Sequence, residues 1–139
     1  MSLVRVAVGV VLDTQARVLI ARRAAHQHQG DRWEFPGGKI EPDETLADAL
    51  IREFLEEVNL ELKPAPDLDP WMVIEHDYGD KQVRLEVARV TMFSGEAVGL
   101  EGQEVAWQPL HLLSALDFPA ANADIIEGLL AEQATAAQS

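Results

Sequence analysis

Apolar residues in this chain follow two periods, and the switches between them mark the elements. Val4, Val6, Val8 and Val10 fall at alternate positions, with Ala7 and Val11 on the other side. This β-branched run predicts a strand buried on at least one face. Residues 13–17 read as a turn, and VLIA at 18–21 as the returning strand. Residues 26–31 are polar and irregular, and Pro36-Gly37-Gly38 breaks the chain again. The period then lengthens. Over residues 44–58, Leu46, Leu50 and Phe54 step by four, as do Ala47, Ile51 and Leu55, which predicts a helix with a broad apolar stripe. Thr45 or Asp43 can cap its start, and Asn59 suits the left-handed position just past its end.

Three prolines make residues 63–70 a loop. Residues 71–77 and 83–93 read as two strands joined by a turn around Gly79-Asp80, and the three glycines of residues 94–102 predict a flexible loop. Residues 105–110, with Trp107, form a short strand, residues 111–116 a short helix, and residues 122–134 a final amphipathic helix with Ile125, Ile126, Leu129 and Leu130 inward. Residues 135–139 are expected to fray. No repeat or linker interrupts residues 1–134, so one α/β domain is expected, a sandwich of mixed strands and two main helices.

Composition narrows the partners. The 139 residues suffice for one domain with a sizeable core. Lys and Arg number 11 against 24 Asp and Glu, a net charge of −13. Such a chain repels polyphosphate backbones, so neither a nucleic-acid polymer nor an anionic membrane is an expected partner. A small anionic ligand remains compatible where arginines or metal ions offset the field. The absence of cysteine removes disulfides, thiolate catalysis and Cys-based zinc sites, and fits a reducing compartment. The apolar run at 6–12 is too short to span a bilayer and lacks a convincing cleavage site; cytoplasm is the expected location.

REFLEEVN, residues 52–59, is the electrostatic oddity. Glu53, Glu56 and Glu57 are three and four residues apart, so they emerge on one helical face near a C-terminus that favours cations. Arg52 can pair with Glu56 and offset part of the repulsion. Two readings fit these residues alone: a solvated acidic face, or carboxylates gathered for a divalent cation.

Context adds to the second reading. From Gly38, the stretch GKIEPDETLADALIREFLEEVNL resembles the Nudix box, G-x5-E-x7-R-E-U-x-E-E-x-G-U with U a bulky aliphatic residue. Gly38, Glu44, Arg52, Glu53, Glu56, Glu57 and Leu60 match at the required spacing. Phe54 stands for an aliphatic residue, and Asn59 for the glycine. ARRAA (21–25), EFPGGKIE (34–41), EGQ (101–103) and DFPAANADII (117–126) look like the MutT-type members that hydrolyse 8-oxo-dGTP. Residues 67–99 match less clearly, with polar Glu86 and Arg89 where apolar residues are expected. The resemblance implies the Nudix fold, an α/β/α sandwich around a mixed β-sheet.

It also implies a reaction: water attacks the β-phosphorus of a nucleoside triphosphate, with Mg²⁺ (or Mn²⁺ in its place), giving the monophosphate and pyrophosphate. On this footing Glu56 and Glu57 are metal ligands, joined by Glu101 and the Gly37 carbonyl. Glu53 binds metal or takes the proton of the attacking water, the base role being preferred. Glu44 supports that site, and Arg52 orients a carboxylate. Arg23 matches a phosphate-contacting position; adjacent strand residues point opposite ways, so only one of Arg22-Arg23 should face the site. His26 and His28 carry no assigned chemistry, with His28 able to approach the substrate.

Asn122 reads either as an N-cap or, by resemblance, as the residue that reads the oxidised base. Its amide offers a donor and an acceptor side by side. Guanine presents acceptors at O6 and N7, whereas 8-oxoguanine carries hydrogen on N7, so the amide can donate one bond and accept one only with the oxidised base. Phe35 and Tyr78, and more weakly Leu85, are candidate pocket walls beside Gly37 and Gly38. The alternatives are a hydrolase of CTP or modified dCTP, against which Asn122 argues, and a non-catalytic nucleotide-binding module, which should have lost box glutamates. A monomer is expected.

Overall fold

The computed structural model describes residues 2–22 and 32–137. The valine run forms β1 (Ser2–Val11), which lies between β4 (Gly37–Lys39) and β7 (Lys81–Val90), with β6 (Met72–Asp77) at the far edge. β1 and β7 run parallel in register from Ser2↔Lys81 to Val11↔Val90, while β4 and β6 are antiparallel to their neighbours. The sheet is therefore mixed. A second sheet places β2 (Arg17–Arg22) between β3 (Trp33–Glu34) and β9 (Glu104–Pro109), and the bridge Leu12↔Val18 links it to β1.

Helices cover both faces. Along α1 (Leu46–Val58), the row Leu46, Leu50, Phe54 and Val58 is buried against Ala7, Val11, Leu19 and Ala88. The second row of the predicted stripe turns outward: Ala47 is buried, but Leu55 is 44% exposed. On the opposite face Val8, Val10, Val18, Ile20 and Val87 pack with Leu113, and with Ile125 and Leu129 of α2 (Ala123–Ala137). Alternate positions of one strand thus feed two cores, Ala7 and Val11 the first and Val8 and Val10 the second, which is why the run is almost wholly apolar. The result is the α/β/α arrangement of the Nudix fold.

Several boundaries shift. Phe93 belongs not to β7 but to β8 (Phe93–Ser94), which pairs with β5 (Glu61–Leu62), strands too short to leave a periodic signal. Residues 111–116 lie mostly in the 3-10 turn Leu110–Ala115, and a second such turn, Ala120–Asn122, precedes α2. α2 continues to Ala137, past the expected end at 134, through an alanine-rich stretch of high helix propensity.

The polar departures in β7 are paired. Glu86 is 5% exposed, and Arg5 on β1 donates to both its carboxylate oxygens, at 2.6 and 3.1 Å. Arg89 forms an ion pair with Glu132 on α2 and lies 5.0 Å over the Trp71 ring. A buried carboxylate without such a partner would be costly.

Candidate active site

Both ends of α1 are fixed by their own sequence. Thr45 caps the start: its hydroxyl accepts from the Asp48 N–H at 3.1 Å, and the Asp48 carboxylate accepts from the Thr45 N–H at 3.2 Å. Asn59 adopts φ 60° and ψ 29°, the left-handed conformation that ends the helix. Its side chain also donates to the Glu96 carbonyl at 3.4 Å.

Arg52 organises the carboxylates between these ends. It donates to both oxygens of Glu44 at 2.8 Å, to Glu53 at 2.7 Å and to the Lys39 carbonyl at 3.0 Å. Glu56, the expected i+4 partner, lies farther away, at 3.6 Å. The bidentate fork uses the planarity of the guanidinium, which lysine lacks. Those bonds, with the Glu41 N–H and the Arg52 charge, pull the Glu44 carboxyl down to about 2. Glu44 in turn ties the 41–44 turn to the helix by accepting from Glu41 N at 2.9 Å.

Glu53 is held over Gly38. A Cβ on Gly38 would lie 2.3 Å from the Glu53 carboxyl carbon, so any larger residue displaces that carboxylate. Glu57 has a different environment. Burial, followed by the charges of Glu53, Glu101 and Glu34, pushes it up to about 8, opposed by a hydrogen bond from the Gly37 N–H. The fold therefore concentrates acid around Glu57. Among the described residues, no three Asp, Glu or His side chains close around a single point as a ligand set. The donors nevertheless fit a hard divalent cation: they are carboxylate oxygens, crowded, and relieved by positive charge.

A cleft of about 330 Å³ opens beside this cluster, within the range of ligand sites. Its lining includes Glu34, Phe35, Gly37, Gly38, Leu85 and Asn122. Phe35 is braced by Phe118, whose ring stacks at 5.3 Å. Asn122 ends the second 3-10 turn, and its amide donates at 3.5 Å to the Pro119 carbonyl. Gly37 and Gly38 are common to cleft and carboxylates, since they line the first and touch Glu57 and Glu53.

Tyr78 is not brought to the cleft. It sits in the β6–β7 turn, 59% exposed, against His76 at 4.3 Å. The hairpin turn carries it beyond the part of the sheet that faces Phe35. Arg23 and His28 lie outside the described residues. Arg22 ends β2 and lies 3.6 Å from Glu104.

The loop over residues 94–102, expected to be flexible, is tied to the end of α1. Val98 N donates to Val58 O and Leu100 N to Glu57 O, both at 2.9 Å. Sequence reasoning missed Glu34 and Gln103. Glu34 lies one residue before a recognised wall, and Gln103 stands inside the EGQ stretch, yet neither carries a periodicity or charge signal that reveals its contacts.

Comparison with known proteins agrees with this geometry. A sequence model described as the NUDIX domain matches residues 7–128. The chain is 36% identical over 129 residues to the 8-oxo-dGTP diphosphatase of Escherichia coli (strain K12), covering 93% of this chain and 98% of that one. It is 32% identical over 120 residues to the CTP pyrophosphohydrolase of the same organism, covering 85% and 84%. A solved MutT structure, of the Aliivibrio salmonicida or the Vibrio cholerae protein, superposes with a TM-score of 0.77 at 27% identity, covering 94% of this chain and 99% of that one. A glutamate-lined helix behind a glycine pair, on this fold and with these relatives, makes the chain a member of the Nudix hydrolase family.

Proposed function

We propose that this protein hydrolyses 8-oxo-dGTP to 8-oxo-dGMP and pyrophosphate with Mg²⁺, clearing an oxidised nucleotide before it can be used in DNA replication. One observation carries the reading. Asn122 lines one cleft with Gly37 and Gly38, and those two glycines meet Glu57 and Glu53 of the carboxylate helix. A nucleotide whose base meets Asn122 can reach the glutamates with its phosphates. The relatives named 8-oxo-dGTP diphosphatase support the same choice.

Glu56, Glu57 and Glu101, with the Gly37 carbonyl, would hold Mg²⁺, and Mn²⁺ in its place. The ion supplies charge neutralisation at the phosphates when bound. Glu53 accepts the proton of the attacking water as its oxygen bonds to the β-phosphorus. The bond from that phosphorus to the bridging oxygen breaks, and the nucleoside monophosphate leaves with the electron pair. Arg52 orients Glu53 while its other nitrogens hold Glu44, and Arg23 would bind phosphate, with His28 near the substrate. Phe35 and Leu85 wall the base, and Asn122 donates to O6 and accepts from N7–H. The cysteine-free chain suits a reducing compartment, and we assign it to the cytoplasm, acting as a monomer on a free nucleotide.

Hydrolysis of CTP is the second reading, favoured by the CTP pyrophosphohydrolase relative. Steady-state kinetics with Mg²⁺ on 8-oxo-dGTP, dGTP, CTP and dCTP, with products identified, separates them. The expected order puts 8-oxo-dGTP first in kcat/KM, with release of pyrophosphate. A preference for CTP would overturn the base assignment and leave the hydrolase reading intact.

A further inference from the structure

We propose that Gln103 is a positioning residue that sets Glu101 against Glu57 for metal binding, an inference that rests on the metal-ligand reading above. Its side-chain amide has a contact on each side. Nε2 donates to the Glu57 carbonyl at 2.9 Å, and Oε1 accepts from the Glu101 N–H at 2.8 Å. One planar group thus joins the backbones of two carboxylates that lie 44 positions apart in the chain (57 and 101).

The joint lies where the fold needs one. The last carbonyls of a helix have no partner within the helix, and the carbonyls of Glu57 and Val58 are met instead by the N–H groups of Leu100 and Val98. Those two bonds dock the loop, but the segment that turns back with Glu101 is gripped by Gln103. Docking is close: a Cβ on Gly99 would lie 1.9 Å from the Gln103 carbonyl oxygen. The Glu101 side chain is exposed, so its neighbours do not fix its approach to Glu57 by burial. Its backbone position does, and Gln103 holds that position. Glutamine alone has the reach and the paired donor and acceptor for this task. Glutamate turns an oxygen toward the Glu57 carbonyl, methionine offers neither bond, and asparagine is one methylene short.

The test compares wild type, Gln103→Met, Gln103→Glu, Glu101→Gln and the double variant Glu101→Gln/Gln103→Met. Mn²⁺ affinity is read by titration calorimetry, and metal-free melting temperature and kinetics are read alongside it. Loss of a group that orients a metal ligand is expected to weaken Mn²⁺ binding by about tenfold or more in Gln103→Met and Gln103→Glu. Metal-free melting should stay near wild type, and high Mn²⁺ should restore kcat. In the Glu101→Gln background, Gln103→Met should add little, because both changes then act through one ligand. Wild-type Mn²⁺ affinity in Gln103→Met, or full additivity in the double variant, overturns the proposal and leaves the metal reading standing. Absence of Mn²⁺ binding by the wild-type protein overturns both. Mn²⁺ binding lost in Gln103→Met, but without 8-oxo-dGTP hydrolysis by wild type, supports the positioning role and sinks only the substrate assignment.

Discussion

Glu53 and Asn122 stand at the two ends of the proposed reaction. Glu53 is fixed by the Arg52 bond and by contact with Gly38, so replacing its acid by an amide should leave its packing intact. Glu53→Gln is expected to lower kcat by about 10²–10⁴-fold, the usual contribution of a general base, with an unchanged melting temperature. Near-normal turnover would remove it from that role. Among the described residues the Asn122 side chain makes a long local bond to Pro119, and it lines the cleft where a base can reach its amide. Asn122→Ala should reduce kcat/KM for 8-oxo-dGTP about 10–100-fold more than for dGTP, the range of a good two-point base contact. An equal loss on both substrates would leave Asn122 as a tie between the 3-10 turn and Pro119.

α1 serves as the rigid rail for the carboxylates, and its stability comes from two sources that can be separated. The row from Leu46 to Val58 anchors it to the sheet, and the Thr45–Asp48 capping box satisfies N–H groups at its start. Thr45→Ala removes only the second. It should lower unfolding free energy by about 1 kcal/mol in urea denaturation, with kcat/KM close to wild type because the cap lies at the opposite end from Glu57. A large fall in kcat with no loss of stability would mean that the cap, and not the apolar row, sets the glutamate positions. The helix was legible in sequence because its period, cap and left-handed end are all local. Which of its two apolar rows faced the sheet was not, and Leu55 turned out exposed.

Across the whole molecule, two glutamates give opposite pH responses. Glu44, at about 2, is more acidic in the fold than in the unfolded chain, so its contribution is complete above about 4.5 and is lost as pH falls toward 2. Glu57, at about 8, holds its proton more tightly when folded, so metal-free stability should decline as pH rises from about 4.5 through 8. If Glu57 is a metal ligand as proposed, Mg²⁺ has to displace that proton, and its binding should strengthen over the same interval. The melting-temperature rise caused by Mg²⁺ should therefore be larger near pH 8 than at about pH 6. Equal rises at both would detach Glu57 from the metal.

The sequence by itself determined the α1 carboxylate face, the glycines before it and the family resemblance, because all depend on spacing within some twenty residues of chain. It also marked Phe35, Leu85 and Asn122 as cleft residues. Only the tertiary structure decided that Tyr78 lies elsewhere, that Arg5 neutralises Glu86 across 81 positions, and that the glycine-rich loop is fastened by Gln103 to the end of α1. The elevated Glu57 belongs to the same class, since burial and the approach of Glu101 and Glu34 create it. Periodicity reports what one element presents to its surroundings. Hydrogen bonds and charges between distant segments depend on which surfaces meet, and chain packing sets that.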